Sequence, residues 1–409
     1  MDSEQLRRYA RLIAVSGGAV QPGQSVIIRA GLDQPEFVLM VAQECYKCGA
    51  SEVSVEWEYQ PLAKLDNKYQ SVDTLGAVKP WQEAKLRYRA DTLPVMIYIE
   101  SEDPDGLAGI DQVKQAEAQR RRFAVTKPYQ DEMENRYQWC IAAAPGVAWA
   151  RKVFPGLSDG EAVEKLWEAI LSCSRALTGD PEANWRRHNA FLKNRCDKLN
   201  AMGLVALEYK SGNGTDFTVG LIPDALFLGG AEECPVNGVW YNPNIPSEEC
   251  FITPRAGEAE GIVYATRPLA YRGQLIENFW LRFEGGRVVN FGAERNEEAL
   301  RELISMDSGS CMLGECALVP YDSPIRDSGI MFYNTLFDEN AACHLALGRG
   351  YTSNIRNCGS YTLDELRAMG VNDSMVHEDF MIGSADLAVT GITASGERTA
   401  IFKDGGWAF

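Results

Sequence analysis

Ser25-Val-Ile-Ile-Arg29, then a run with helical spacing over 35–48, then Glu52-Val-Ser-Val-Glu-Trp-Glu58 follow one another directly after Pro22-Gly23. The two outer runs are short and rich in β-branched residues, as strands are, while the middle one repeats its apolar residues at helical intervals. Strand, helix, strand in that order predicts a parallel pair joined by a crossover helix. Leu93-Pro-Val-Met-Ile-Tyr-Ile-Glu100 and Trp139-Cys-Ile-Ala-Ala-Ala144 read as further buried strands, with 112–122 helical between them. The alternation predicts an α/β N-terminal domain with a mostly parallel sheet.

Residues 159–202 read as helical and charged, interrupted at Pro181. The pattern changes near residue 204. Ala206-Leu-Glu-Tyr-Lys210 and Asp216-Phe-Thr-Val-Gly220 flank Ser211-Gly-Asn-Gly-Thr215, where Asn-Gly supplies the positive φ angles of a tight hairpin turn. A strand over 275–283 turns through Glu284-Gly-Gly286 into Arg287-Val-Val-Asn-Phe291; a helix over 297–305 and a terminal hairpin over 387–402 follow. The second half is therefore expected to be an α+β domain with largely antiparallel strands, and the boundary near residue 200 gives domains 1–200 and 201–409.

Charge narrows the partners. With 57 acidic against 40 basic side chains the net charge is -17, which repels phosphate backbones and anionic lipid, so neither nucleic acid nor a membrane surface is expected as a partner. No apolar run approaches the ~20 residues that span a bilayer, and the start of the chain does not read as a secretory signal. A cytoplasmic location is expected. The eleven cysteines are irregularly spaced, as reduced thiols used for packing are. Cys45 and Cys48 have Cys-x-x-Cys spacing but lie inside a helical pattern, and packing is the expected role there too.

The chemistry concentrates around histidine. Of three histidines, His188 has no acidic neighbour and reads as structural, whereas His344 ends Phe337-Asp-Glu-Asn-Ala-Ala-Cys-His344 and His377 opens His377-Glu-Asp379. Imidazole beside carboxylate suits zinc, cobalt or manganese. His377 and Asp379 are two apart, so on a strand both face one side. Glu339 and His344 bracket a run of small residues that could lead from a loop into a helix and turn both side chains into one cleft. Glu248-Glu249 and Glu315 add acids whose meaning lies in their joint presence. There is no His-Glu-x-x-His, no Gly-x-Ser-x-Gly and no phosphate-binding glycine loop.

Asn244-Ile-Pro-Ser-Glu-Glu249, Gly314-Glu315, Leu336-Phe-Asp-Glu-Asn-Ala-Ala-Cys-His344-Leu-Ala-Leu-Gly348, Tyr351 and His377-Glu-Asp-Phe-Met-Ile-Gly383 together closely resemble the thermophilic-type metallo-aminopeptidase family of aminopeptidases T and S. The likeness extends loosely over the whole chain. It implies that Glu249, Glu315, Glu339, His344, His377 and Asp379 are ligands of two divalent ions, with Glu315 bridging and Tyr351 approaching the site. By the same resemblance the activity is release of the N-terminal residue from short peptides with a free N-terminus, through a dinuclear site and metal-bound water, in a homodimer. Glu315 and Tyr351 are the expected catalytic residues, and either Glu248 or Glu378 could take the water's proton. The chain departs from the family's pattern at Ser247 and Cys250, where threonine and valine are usual; Cys250 is read as a small apolar packer. Two rivals remain: a dimetal amidase or other hydrolase such as a phosphodiesterase, for which Arg326 and Arg349 are available, and a non-catalytic metal-binding protein.

Overall fold

The computed structural model describes residues 1–409. Two compact units make up the chain, Met1–Asn189 with Ala231–Ser247, and Ala190–Gly230 with Glu248–Phe409.

The first unit is built on a four-stranded sheet in the order Glu52–Glu58, Ser25–Gly31, Val95–Glu100, Trp139–Ala143, every neighbouring pair parallel. Parallel neighbours need long crossovers. The helix Pro35–Lys47, with proline in its first turn, makes the first and buries Phe37, Val38, Val41 and Cys45 on one face. The helix Gln112–Met133 is longer than its polar pattern suggests and continues through Pro128. Tyr9, Phe37 and Trp167 form an aromatic cluster with ring centroids 5.1–6.4 Å apart. Pro181 does not break a helix but starts one: Asp159–Cys173, capped by Ser158 and Glu161, is followed by Pro181–Ala201. All eleven cysteines are free thiols, and burial pushes Cys45 up to about 12.

In the second unit an eight-stranded antiparallel sheet runs Arg287–Gly292, Trp280–Glu284, Pro254–Tyr264, Asp216–Leu221, Leu204–Lys210, Ala388–Thr393, Arg398–Lys403, Gly406–Trp407. The hairpin around Asn213-Gly214 joins its two central strands. The expected single strand over 275–283 is two: Gln274–Ile276 pairs with Leu269–Tyr271, and Trp280–Glu284 with Arg287–Gly292. Asn278, left-handed at φ 49°, ends the first and redirects the chain. A second, four-stranded antiparallel sheet, His377–Met381, His344–Gly348, Leu313–Leu318, Cys250–Ile252, shares an apolar core with the larger one through Tyr209, Phe217, Phe283, Cys316, Leu345 and Phe380. The fold is α/β with a parallel sheet in the N-terminal part and α+β with antiparallel sheets in the C-terminal part. No helix is long and apolar enough to cross a membrane.

Candidate metal centre

The small sheet gathers the acids and histidines because of its register. Glu315 and Asp379 both pair with Ala346 from opposite sides, so in one row two carboxylates flank a methyl group. Directly paired residues project to the same face. His344, Ala346 and Gly348 alternate on that face, with Ala317 opposite His344 and Gly348 opposite His377. The small residues leave room, and Leu345, Leu347, Cys316 and Phe380 point the other way into the core. Gly348 has φ +102°, and a Cβ there would strike the Val376 carbonyl that precedes His377. Glycine is required where this strand enters the turn.

Two groups of donor atoms share Glu315. Glu249, Glu315 and His344 form one; Glu315, His377 and Asp379 form the other. His344 Nε2 is 3.1 Å from Glu249 Oε2 and 4.0 Å from Glu315 Oε1, while His377 Nε2 is 3.1 Å from Glu315 Oε2 and 3.4 Å from Asp379 Oδ1. Each imidazole is oriented from behind: His344 Nδ1 meets the Ala342 carbonyl at 3.2 Å and His377 Nδ1 the Arg349 carbonyl at 2.7 Å. A carbonyl only accepts, so Nδ1 carries the proton and Nε2 is turned to the carboxylates. Glu339 is brought in by a route the sequence pattern did not suggest. The segment runs from the short helix Thr335–Asp338 through the 3-10 turn Glu339–Ala341 into the strand His344–Gly348, not from a loop into a helix. Its carboxylate accepts from Asn340 Nδ2 at 3.3 Å and feels the charge of Asp379 more than that of any other acid of the cluster.

Electrostatically the cluster lacks positive charge. Glu249, Glu315, Glu339 and Asp379 are each at least nine-tenths buried, and the first two and Asp379 lie in ion-pair range of the histidines. Burial first, then Glu249 and Asp379, raise Glu315 to about 7 against the pull of His377. Glu339 is raised well above the carboxylate range by burial, then by Asp379, Glu249 and Glu315. Burial by itself would lower both imidazoles, but Glu249 lifts His344 to about 9, and Asp379 with Glu315 lifts His377 well above its usual value. Burial would raise Asp379, yet His377 and His344 outweigh it and hold it down. In this state protons supply the missing charge. Asp379 Oδ1, enclosed by protein, has no hydrogen bond of good geometry beyond the long 3.4 Å approach of His377 Nε2. Buried carboxylates in excess, with two imidazoles aimed at them whose protons a cation can replace, fit one or more divalent cations.

The remaining expected residues fall around this cluster. Tyr351, 37% exposed, places its hydroxyl 3.2 Å from His377 Nε2, and burial of the group followed by the charges of Glu315 and Asp379 raises its pKa. Glu378 pairs with Leu347, so alternation sends it to the face opposite His377 and Asp379. Cys250 is buried with its Sγ 3.8 Å from the Leu192 carbonyl. Arg326 stacks over the Tyr321 ring at 4.1 Å, and Arg349 meets His377 through its backbone carbonyl. His188, in the other unit, faces the Ser247 carbonyl at 2.7 Å and lies edge-on to Trp185.

The sequence reading passed over Asn340 and Thr253. Thr253 Oγ1 accepts the Tyr351 backbone N–H at 2.8 Å and lies 2.9 Å from the Tyr351 carbonyl. A run of small residues opposite ligand positions is the signal that could have pointed to the shared face.

The donor set is that of a metal-binding protein, and comparison with known proteins fixes its kind. The chain belongs to the thermophilic metalloprotease family (M29), whose family model matches residues 2–407, and is a metallo-aminopeptidase. It is 40% identical over 408 residues to aminopeptidase AmpS of Bacillus subtilis, covering 100% of this chain and 99% of that protein. Aminopeptidase T of Thermus aquaticus is 37% identical over 99% of this chain and 98% of its own. The solved structure of wild-type AmpT from Thermus thermophilus superposes with a TM-score of 0.89 at 37% identity, covering 99% of both chains.

Proposed function

We propose that the cluster holds two divalent ions, Glu249 and His344 serving one side, His377 and Asp379 the other, Glu315 both, with Glu339 beside Asp379 as a further ligand, and that the enzyme releases the N-terminal residue of short peptides. The observation that carries this reading is the division of Glu315: Oε1 faces His344 and Oε2 faces His377. A carboxylate with one oxygen toward each imidazole is arranged to bridge. Zinc, cobalt and manganese all suit the donors.

When bound, such ions supply Lewis acidity toward a peptide carbonyl and toward the water that attacks it. The protein's own residues do the rest. The carboxylate-rich cavity attracts the substrate's α-ammonium group and disfavours a blocked N-terminus. Tyr351, beside His377 and partly exposed, donates its hydroxyl proton in a hydrogen bond to the oxyanion of the tetrahedral intermediate. The buried sheet face excludes bulk water. The same reading takes the working form to be a cytoplasmic homodimer.

The test is hydrolysis of free and N-acetylated dipeptides and tripeptides before chelation, after it, and with zinc, cobalt or manganese restored. Cleavage of free-amine peptides alone, lost and regained with metal, supports the reading. Equal cleavage of acetylated peptides points instead to an amidase.

A further inference from the structure

Asn340 is fully buried and divides its side-chain amide between two segments that bring separate carboxylates to the cluster. Its Nδ2 donates to the Leu336 carbonyl at 3.0 Å and to Glu339 Oε1 at 3.3 Å. Its Oδ1 accepts the Glu248 backbone N–H at 2.7 Å, across 92 positions of sequence. That N–H belongs to the residue immediately before Glu249. One planar amide thus ties the carboxylate of Glu339 to the backbone that presents Glu249. The chemistry is specific to an amide: it alone offers two donors and an acceptor in a fixed plane without charge. An ionised aspartate would keep the acceptor, lose both donors and add a negative charge to a cluster already rich in it. A leucine would fill the space and leave buried polar groups unpaired.

We propose that Asn340 is a positioning residue of the metal centre, holding Glu339 and the Glu249 segment at ligand spacing before any cation arrives, and so setting metal affinity. This rests on the ligand assignment proposed above. Groups that orient ligands typically contribute about 10- to 100-fold in metal affinity.

The experiment measures zinc dissociation constants of the full chain by competition with a chromophoric chelator, for the wild type and for N340D, N340L, E249Q and E339Q. Thermal midpoints of the metal-free proteins and activity at rising metal concentration accompany them. Both Asn340 variants should bind zinc about 10- to 100-fold more weakly. The N340D protein should fold with a lowered metal-free midpoint, because it buries an added charge, and regain activity with excess metal, which a merely structural defect would not permit. Zinc affinity in N340D within about two-fold of the wild type, with E249Q and E339Q weakened, would overturn the positioning role alone. Unchanged affinity in E249Q and E339Q would overturn the ligand assignment, and this proposal with it. If N340L does not fold, N340D decides, because aspartate has the same shape and retains the acceptor for Glu248.

Discussion

The two halves of the donor cluster differ in enclosure. His344 and Glu249, on one side of Glu315, are 1% and 7% exposed at their side chains, whereas His377 on the other is 21% exposed and borders the half-open Tyr351. Structural metal sites are closed and catalytic ones keep an open position. On the proposed ligand assignment, this difference gives the Glu249–His344 half the firmer hold on an ion and the His377–Asp379 half the contact with substrate. Glu315 belongs to both.

Removing the shared group should therefore have the largest effect. Glu315→Gln is expected to lower kcat/KM by at least about 10³-fold while circular dichroism stays native, since both halves lose a ligand at once. Wild-type turnover in that variant would remove the bridging role. Next comes the contrast between the histidines: His344→Ala should strip metal from the closed half and lower the thermal midpoint, whereas His377→Ala should lose the more labile metal with a smaller loss of stability. Equal effects on metal content and midpoint would erase the distinction. Tyr351→Phe should cost about 10²-fold in kcat with metal content unchanged, as deletion of an oxyanion donor does; loss of metal in that variant would make Tyr351 a support for His377 instead.

The smallest effect is a pH dependence of the metal-free protein. Glu315 is raised from 4.5 to about 7, so the folded state holds that proton more tightly and stability falls as pH rises across this range. His344 is raised from 6.5 to about 9; its contribution is complete below 6.5 and is lost as pH rises through 9. Both act in the same direction. Metal must displace these protons, so the rise in thermal midpoint on adding zinc should be larger at about pH 8.5 than at about pH 5.5. A metal-induced shift that shrinks with pH would contradict the protonation pattern.

Much of this was legible in the chain. The parallel sheet followed from β-branched runs separated by helical ones, and the His377–Asp379 pair from strand periodicity, because both are local properties. What was not legible depended on tertiary context. The turn from helix to strand between Thr335 and Gly348 is set by packing that no local propensity reveals, and left-handed Asn278 divides what reads as one strand. Pro181 was ambiguous because proline ends one helix and begins another equally well. The role of Ala346 emerges only from register, since a methyl between two carboxylates is invisible until Glu315 and Asp379 are paired to either side of it. Residue types announced a metal site; the sharing of Glu315 needed coordinates.

The most direct test of that sharing is a titration of the metal-free protein with zinc, cobalt or manganese, reading bound metal per chain and hydrolysis of a free-amine tripeptide together. Two ions per chain, with activity rising as the second binds, is the predicted result. Full activity at one ion per chain, or saturation at one, would contradict a dinuclear centre bridged by Glu315.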